Sequence, residues 1–419
     1  METKEKKLNL ADKTIFMGDN LPIMRGMNSE CVDLIYLDPP FNSNANYAAP
    51  IGSKAAGAEF KDTWTLEDVD ISWLDLMEAK YPAMHRVIQA TMRNSDKAYL
   101  IYMAIRLIEM HRILKNTGSI YLHCDPTMSH YLKLLMDAIF GRKNFRNEIV
   151  WWYRKFGQGR KNFKKDHDVI LYYSKTENCK FTPQYVPFAP KTKPAKYGRK
   201  IQNGRVVEDK TVLMKDIRDE SRGTVAGNTW EISFVRYNSK ENTGYRTQKP
   251  LKLLERIIQA SSDEGDIVLD PFCGGATTCV AAERLGRGWI GIDFSPKAVQ
   301  LVEERIKEEL YQDIRALKHT PKRTDLRKLP KYNSPENKKK LYGEQMGYCN
   351  GCGIHFNYKN LDVDHIIALA VGGTDHIDNL QLLCGHCNSI KGQRGQEYLI
   401  ARLNSYSKPQ PIAWNRKIN

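Results

Sequence analysis

Two apolar runs, each closed by Asp-Pro, constrain this chain more than any other feature. Residues 32–37 (Val-Asp-Leu-Ile-Tyr-Leu) end at Asp38-Pro39-Pro40-Phe41. Far downstream, residues 267–269 (Ile-Val-Leu) end at Asp270-Pro271-Phe272-Cys273-Gly274-Gly275-Ala276-Thr277-Thr278. A short apolar run bounded by turn residues reads as a buried strand. In an open α/β sheet, ligands sit outside the carboxyl ends of the strands. The two loops are therefore expected to face one cleft, one suited to an amino group and the other to a nucleoside cofactor.

The rest of the chain divides around these runs. Residues 10–142 alternate strand-like and helix-like segments: a strand at 14–17 before Gly18-Asp19-Asn20, a helix at 98–114, a strand at 119–123 and a helix at 126–140. Residues 142–215 carry 19 Lys/Arg against 6 Asp/Glu, which is nearly all of the net charge of +15. Aromatics are interleaved with that charge, and such a stretch suits a polyanionic partner. The α/β rhythm returns near Pro250, with a helix at 251–261, a helix after Gly275, the strand 288–293 ending in Asp293, and a helix from Pro296. The pattern reads as one sheet with an inserted lobe at 143–245. Residues 313–340, with Pro321, Pro330, Pro335 and Lys338-Lys339-Lys340, read as an extended, solvated basic linker.

Each motif has a chemical reading. Gly274 and Gly275 let backbone approach a ligand closely, and Thr277-Thr278 open a helix. Asp293, at the end of the next strand, is placed to bind ribose hydroxyls. An exocyclic adenine amine is a poor nucleophile because its lone pair is delocalised into the ring. A carboxylate and a backbone carbonyl can accept its two hydrogens, prolines fix the carbonyl, and Phe41 offers a face for base stacking. Such a base has to be flipped out of a duplex to be reached.

Over residues 12–310 these motifs resemble the DNA amino-methyltransferases that use S-adenosylmethionine, in the order of their β class. The resemblance implies a Rossmann-like sheet with Asp19, Lys249, Asp270, Phe272, Gly274 and Asp293 around the cofactor. It implies Asp38, Pro39, Pro40 and Phe41 as the catalytic loop, and a target-recognition lobe in the basic insertion. Trp151, Arg154 and Lys155 are its candidates for contact with double-stranded DNA. Asp rather than Ser at position 38 favours the N6 amine of adenine over N4 of cytosine, and Phe41 stands where Tyr is commoner. Members of that class often pair, so a homodimer is one expectation.

The C-terminal part, 341–419, carries Cys349-x-x-Cys352 and Cys384-x-x-Cys387, a spacing suited to structural zinc in a reducing compartment. With Asp364-His365, Asn379 and Asn388 it resembles an HNH endonuclease of the ββα-metal fold. That resemblance implies His365 as general base and Asp364 and Asn388 as ligands of Mg²⁺, with Asn379 near DNA and orienting the loop. Ala368 stands where many relatives have Pro, and Asn388 where the motif has His. A zinc-stapled module that binds DNA without cutting it is the competing reading. A nuclease with S-adenosylmethionine as its allosteric ligand is a third. The charged start of the chain carries no signal peptide, and no run is apolar enough to span a membrane, so a cytoplasmic protein is expected.

Overall fold

The computed structural model describes residues 8–43, 45–48, 59–64, 77–78, 81–154, 163–187, 197–202, 205–213, 223–245, 247–310, 314–325 and 330–407. Nine of the described strands form one sheet. Its centre comprises β1 (Thr14–Met17), β2 (Val32–Leu37), β5 (Leu114–Cys124), β13 (Ile267–Asp270) and β14 (Gly288–Asp293). In space they run β5-β2-β13-β14-β1, all parallel. The cofactor-type strands of the later sequence thus slot between β2 and β1 of the earlier sequence.

Helices cover both faces. In β2, Leu34 and Tyr36 join one core cluster, while Val32, Ile35 and Leu37 join the other. A strand buried on both sides loses polar alternation, which is why it reads as one apolar run. One layer is built on α3 (Asn94–Ile113), with Tyr99, Leu100, Met103 and Leu107 inward, beside α4 (Ser129–Phe140). The opposite layer holds α5 (Leu251–Ser261), whose Leu253, Leu254, Ile257 and Ile258 recur at helical spacing. Beside it lies α6 (Thr277–Arg284). Two elements start or run differently from the expectation. The helix expected at 126–140 begins only at Ser129, and the strand expected at 119–123 runs back to Leu114, directly from the end of α3.

The boundaries of the inserted lobe are corrected. Strands β6 (Phe145–Trp152) and β7 (His167–Ser174) extend the main sheet, antiparallel to each other and, through β7, to β5. Strand β12 (Thr229–Glu231) pairs with β6 at the sheet edge. Among the described residues, the strands between them stand apart: β8 (Tyr185–Val186) with β11 (Thr224–Val225), and β9 (Tyr197–Gln202) with β10 (Arg205–Leu213). The basic stretch therefore starts as sheet scaffold.

The linker is corrected as well. Residues Arg315–Leu317 form β15, parallel to β1. Ser29 N donates to Asp325 Oδ2 at 2.9 Å, and Asn28 Nδ2 donates to Thr324 Oγ1 at 2.8 Å. Together with α8 (Pro335–Glu344), capped by Ser334, these contacts tie described residues of the segment to the fold. A strand of three residues is too short to show periodicity, so the sequence alone reads as extended here.

The C-terminal part is a hairpin of β16 (Leu361–His365) and β17 (Leu380–Cys384) followed by α9 (Gly385–Lys391) and α10 (Gln396–Ser407). Its small core gathers Leu341, Leu361, Val363, Leu382, Leu383 and Leu399. Gly372, with φ +86°, lies against α1 (Asn20–Gly26) so closely that a Cβ would meet Arg25 Cβ at 2.8 Å.

Candidate functional site

Strand β13 pairs with β2 in the register Val268–Leu34 and Leu269–Ile35, so the loops at 38–41 and 270–278 leave neighbouring strand ends. They line one cleft of about 780 Å³, within the usual range of ligand sites. Every candidate for the catalytic loop and the cofactor borders it: Asp19, Asp38, Pro39, Pro40, Phe41, Lys249, Asp270, Phe272, Gly274 and Asp293.

On the cofactor-type side the carboxylates shape the loops. Asp270 accepts Phe272 N at 3.0 Å and Thr278 Oγ1 at 2.5 Å. Burial, with the charges of Asp38 and Asp293 adding to it, pushes the Asp270 carboxyl up to about 7 despite these bonds. Asp293 accepts Gly274 N and Ser295 N, both at 2.8 Å, and burial raises its carboxyl too. Gly274 has φ +45°, and a Cβ there would meet the Tyr245 ring at 3.0 Å, so glycine is needed for backbone to reach this close.

Asp19 caps α1 through Leu21 N (3.0 Å) and pairs with Arg106 Nη2 (2.7 Å). Arg106 also donates to Asn20 Oδ1 at 2.7 Å, and Asn20 Nδ2 donates to Pro271 O at 2.8 Å. Arg106 was not among the expected site residues. Its signal was a charge within the apolar run at 98–114, where a buried arginine needs acceptors.

On the amine-type side, Asp38 Oδ2 lies 2.5 Å from Lys249 Nζ, while Asp38 Oδ1 is buried with no hydrogen-bond partner among the described residues. The Lys249 ammonium is 5.4 Å from the Phe41 ring centroid, and Phe41 stacks on His123 with centroids 5.9 Å apart. His123 is fully buried between Tyr36 OH (2.8 Å) and Asp168 Oδ2 (3.2 Å). Burial opposes ionisation of Asp168, but its bond to His123 and nearby positive charge outweigh it and hold the carboxyl down to about 2. Nothing local in the sequence around His123 announced this contact; it depends on β5 lying beside β2.

The expected DNA-contact residues separate. Trp151 is corrected: it is 3% exposed, its indole N–H donates to Ile232 O at 2.8 Å, and it packs in the core. The alternation of β6 turns it inward. Arg154 is exposed, with its guanidinium 6.0 Å from the Trp152 ring. Lys155 lies outside the described residues.

In the C-terminal part the four sulfurs of Cys349, Cys352, Cys384 and Cys387 lie within 4.8 Å of one another, a donor set suited to a tetrahedral ion. Cys384 N points at Cys349 Sγ (3.2 Å) and Cys387 N at Cys384 Sγ (3.5 Å), as thiolate ligands require. His365 Nε2 is 2.7 Å from Asp375 Oδ1, and Tyr332 lies 4.7 Å from its ring. Asp375 was not anticipated. Asp364 faces a partner that the spacing did not reveal: the buried Lys391 ammonium, 2.9 Å away, an ion pair by distance though off the hydrogen-bond axis. Asn388 is half-buried on α9. Asn379 braces the loop: it accepts Ile367 N (2.9 Å) and donates to Ile367 O (3.0 Å) and Thr374 O (2.8 Å).

Comparison with known proteins places these features. Residues 32–304 match the family described as DNA methylase, and residues 349–394 match HNH endonuclease. The chain is 29% identical over 304 residues to the DNA adenine methyltransferase YhdJ of Escherichia coli (strain K12), covering 70% of this chain and 82% of that protein. It is 28% identical over 299 residues to the type II methyltransferase M.HpaI of Haemophilus parainfluenzae, covering 71% of this chain and 75% of that one. Among solved structures, the cytosine-N4-specific PvuII DNA methyltransferase aligns over 72% of this chain and 89% of its own, at 15% identity and a TM-score of 0.41.

Proposed function

The chain belongs to the DNA methylase family and carries an HNH endonuclease domain, and on that footing we propose that it methylates the N6 amine of adenine in double-stranded DNA with S-adenosylmethionine and cuts DNA through its C-terminal domain. Residues 1–312 carry the first activity and 341–419 the second.

The observation that carries the first half is Asp38 Oδ1, a buried acceptor with no partner among the described residues, at the mouth of the loop beside the cofactor-type cleft. An amine donor would satisfy it. Asp293 and the Gly274 backbone suit a nucleoside, and Lys249 is a cation for the methionine carboxylate. When bound, S-adenosylmethionine supplies an electrophilic methyl group. The chain's own part is to localise the amine lone pair. Asp38 accepts one amine hydrogen, the backbone carbonyl fixed by Pro39 and Pro40 accepts the other, and Phe41 stacks on the base, worth ~1–3 kcal/mol. Charge development at the amine is then met by a preorganised carboxylate.

For the second half, the Cys349-Cys352-Cys384-Cys387 set would hold a structural zinc and so pin a domain with a small core. His365 would take the proton of a water, with Asp375 holding its ring. Asp364 and Asn388 would hold Mg²⁺, and Asp364 has to leave Lys391 to do so. Arg154 is proposed as a phosphate contact.

The test uses tritiated S-adenosylmethionine and PCR-amplified mixed-sequence DNA, with and without Mg²⁺. N6-methyladenine in the digested product is the expected outcome, and N4-methylcytosine in its place would overturn the base assignment. Strand breaks that need Mg²⁺ support the nuclease. Intact DNA in every condition would leave a DNA-binding module. Light scattering on the same sample reads whether the protein pairs.

A further inference from the structure

The carboxylate of Asp62 is 1% exposed and collects five donors. Its Oδ2 accepts Phe41 N (3.2 Å), Ser43 N (2.8 Å) and Ser43 Oγ (2.6 Å); its Oδ1 accepts Asn42 N (2.7 Å) and Trp64 Nε1 (3.2 Å). Three successive backbone N–H groups thus converge on one anion, the arrangement of a backbone nest. Such convergence needs a left-handed residue in the run, and Asn42 supplies it with φ +58°. A side chain that takes up this conformation is strained and keeps it only where its surroundings over-determine it. Here the Asn42 amide donates to Asp96 Oδ1 at 2.7 Å, and its backbone N–H donates to Asp62.

Pro39 and Pro40 already have φ locked by their rings. The freedom left in the amine-type loop is therefore concentrated at Phe41, Asn42 and Ser43, the three residues that Asp62 binds. The chain leaves the loop at Ser43, makes the hairpin of β3 (Ala45–Ala48) and β4 (Glu59–Asp62), and brings Asp62 back onto the loop that launched it. Asp62 borders the same cleft as Asp38, and its carboxylate is turned onto the loop backbone. What it fixes is the backbone from which the Phe41 ring reaches its stack on His123.

We propose that Asp62 is a positioning residue for methyl transfer, holding the loop in the shape that presents Phe41 and the Pro-Pro carbonyl to the target amine. This rests on the methyltransferase reading above. It goes beyond it by assigning a role to a carboxylate outside both strand-end motifs.

The test compares wild type, Asp62→Asn and Asp62→Ala for transfer rate on PCR-amplified mixed-sequence DNA, calorimetric affinity for S-adenosylmethionine, and thermal midpoint. A misplaced loop should lower kcat by about 100-fold in Asp62→Ala, with cofactor affinity within about two-fold of wild type. Asp62→Asn keeps the shape and one acceptor and should recover about ten-fold of that loss. A folded Asp62→Ala or Asp62→Asn protein that transfers at the wild-type rate overturns the proposal. So does a parallel loss of cofactor affinity and rate, which marks a merely structural carboxylate. If both variants fail to fold, Trp64→Phe carries the test, since it removes one donor and keeps the ring. Reduced kcat at unchanged affinity supports the role, and unchanged kcat overturns it. A wild type that transfers no methyl group sinks the underlying reading, and this inference with it.

Discussion

Lys249 Nζ sits 2.5 Å from Asp38 Oδ2, which joins the residue proposed for the cofactor carboxylate to the residue proposed for the target amine. Both side chains are mostly buried, at 10% and 16% exposed. One oxygen of Asp38 is therefore neutralised by the lysine while the other has no partner among the described residues.

Replacing Lys249 with Met should act on two readouts at once. Unfolding stability should fall by about 2 kcal/mol, because a partly buried charged hydrogen bond is lost. Affinity for S-adenosylmethionine should fall about ten-fold. Chemical denaturation and calorimetry check the two separately, and unchanged affinity would remove Lys249 from the cofactor site.

Arg106 ties Asp19 and Asn20 to α3. Arg106→Met leaves the Asn20 amide oxygen without its donor and the Asp19 carboxylate with only Leu21 N. The expected loss is about 2 kcal/mol of stability, together with weaker cofactor binding. Urea unfolding and equilibrium dialysis read both; wild-type values in each would show that the pin is not needed.

Asp270 gives the ligand-free protein a pH dependence. Its carboxyl is raised to about 7 by burial, against about 3.9 in an unfolded chain. A raised carboxyl contributes stability that is fully present below the unfolded value and is lost as pH rises through about 7. Asp293, also raised, acts in the same direction. Asp270→Asn should therefore raise the thermal midpoint at pH 8 and change it little at pH 4. Equal shifts at both pH values would contradict the buried-carboxyl account. Asp168, held down to about 2, works at the other end: its contribution is lost as pH falls through about 2.

Removing a bound ion from the four-cysteine set should unfold residues 335–407 and spare methyl transfer. Treatment with a strong chelator, followed by limited proteolysis and a methylation assay, separates the two. Protection of the C-terminal part after metal removal would show that its core suffices.

Asp375→Asn should slow DNA cutting by about 10- to 100-fold through loss of the orienting bond to His365, and His365→Ala should abolish cutting. Plasmid nicking in Mg²⁺ measures both, with methyl transfer as the internal control. Cutting by His365→Ala at the wild-type rate would remove that histidine as base.

Much of the site was legible because its parts are local. A strand buried on both faces reads as an unbroken apolar run, and the loop that follows it reads as Asp-Pro-Pro-Phe or Asp-Pro-Phe-Cys-Gly-Gly. Paired cysteines likewise state their chemistry by spacing alone, and here the four sulfurs do converge. Trp151 was misread for the converse reason. Composition marks a basic, aromatic stretch, but strand alternation and the neighbouring β12 decide which ring turns inward.

By itself, then, the sequence determined the sheet-forming runs, the two strand-end loops, the cysteine set and the family. These depend on neighbours within a few residues, where backbone preference and side-chain chemistry act directly. Only the tertiary structure decided that β13 lies beside β2, and so that Lys249 meets Asp38 across 211 residues of chain. It also placed His123 under Phe41, Arg106 under Asp19 and Asp62 on the amine-type loop. The contacts of Lys249, His123 and Arg106 join chain segments brought together by burial of the sheet's two faces, while Asp62 returns through the β3–β4 pair. Burial is non-directional, and no local pattern says which distant polar group will be left to satisfy which.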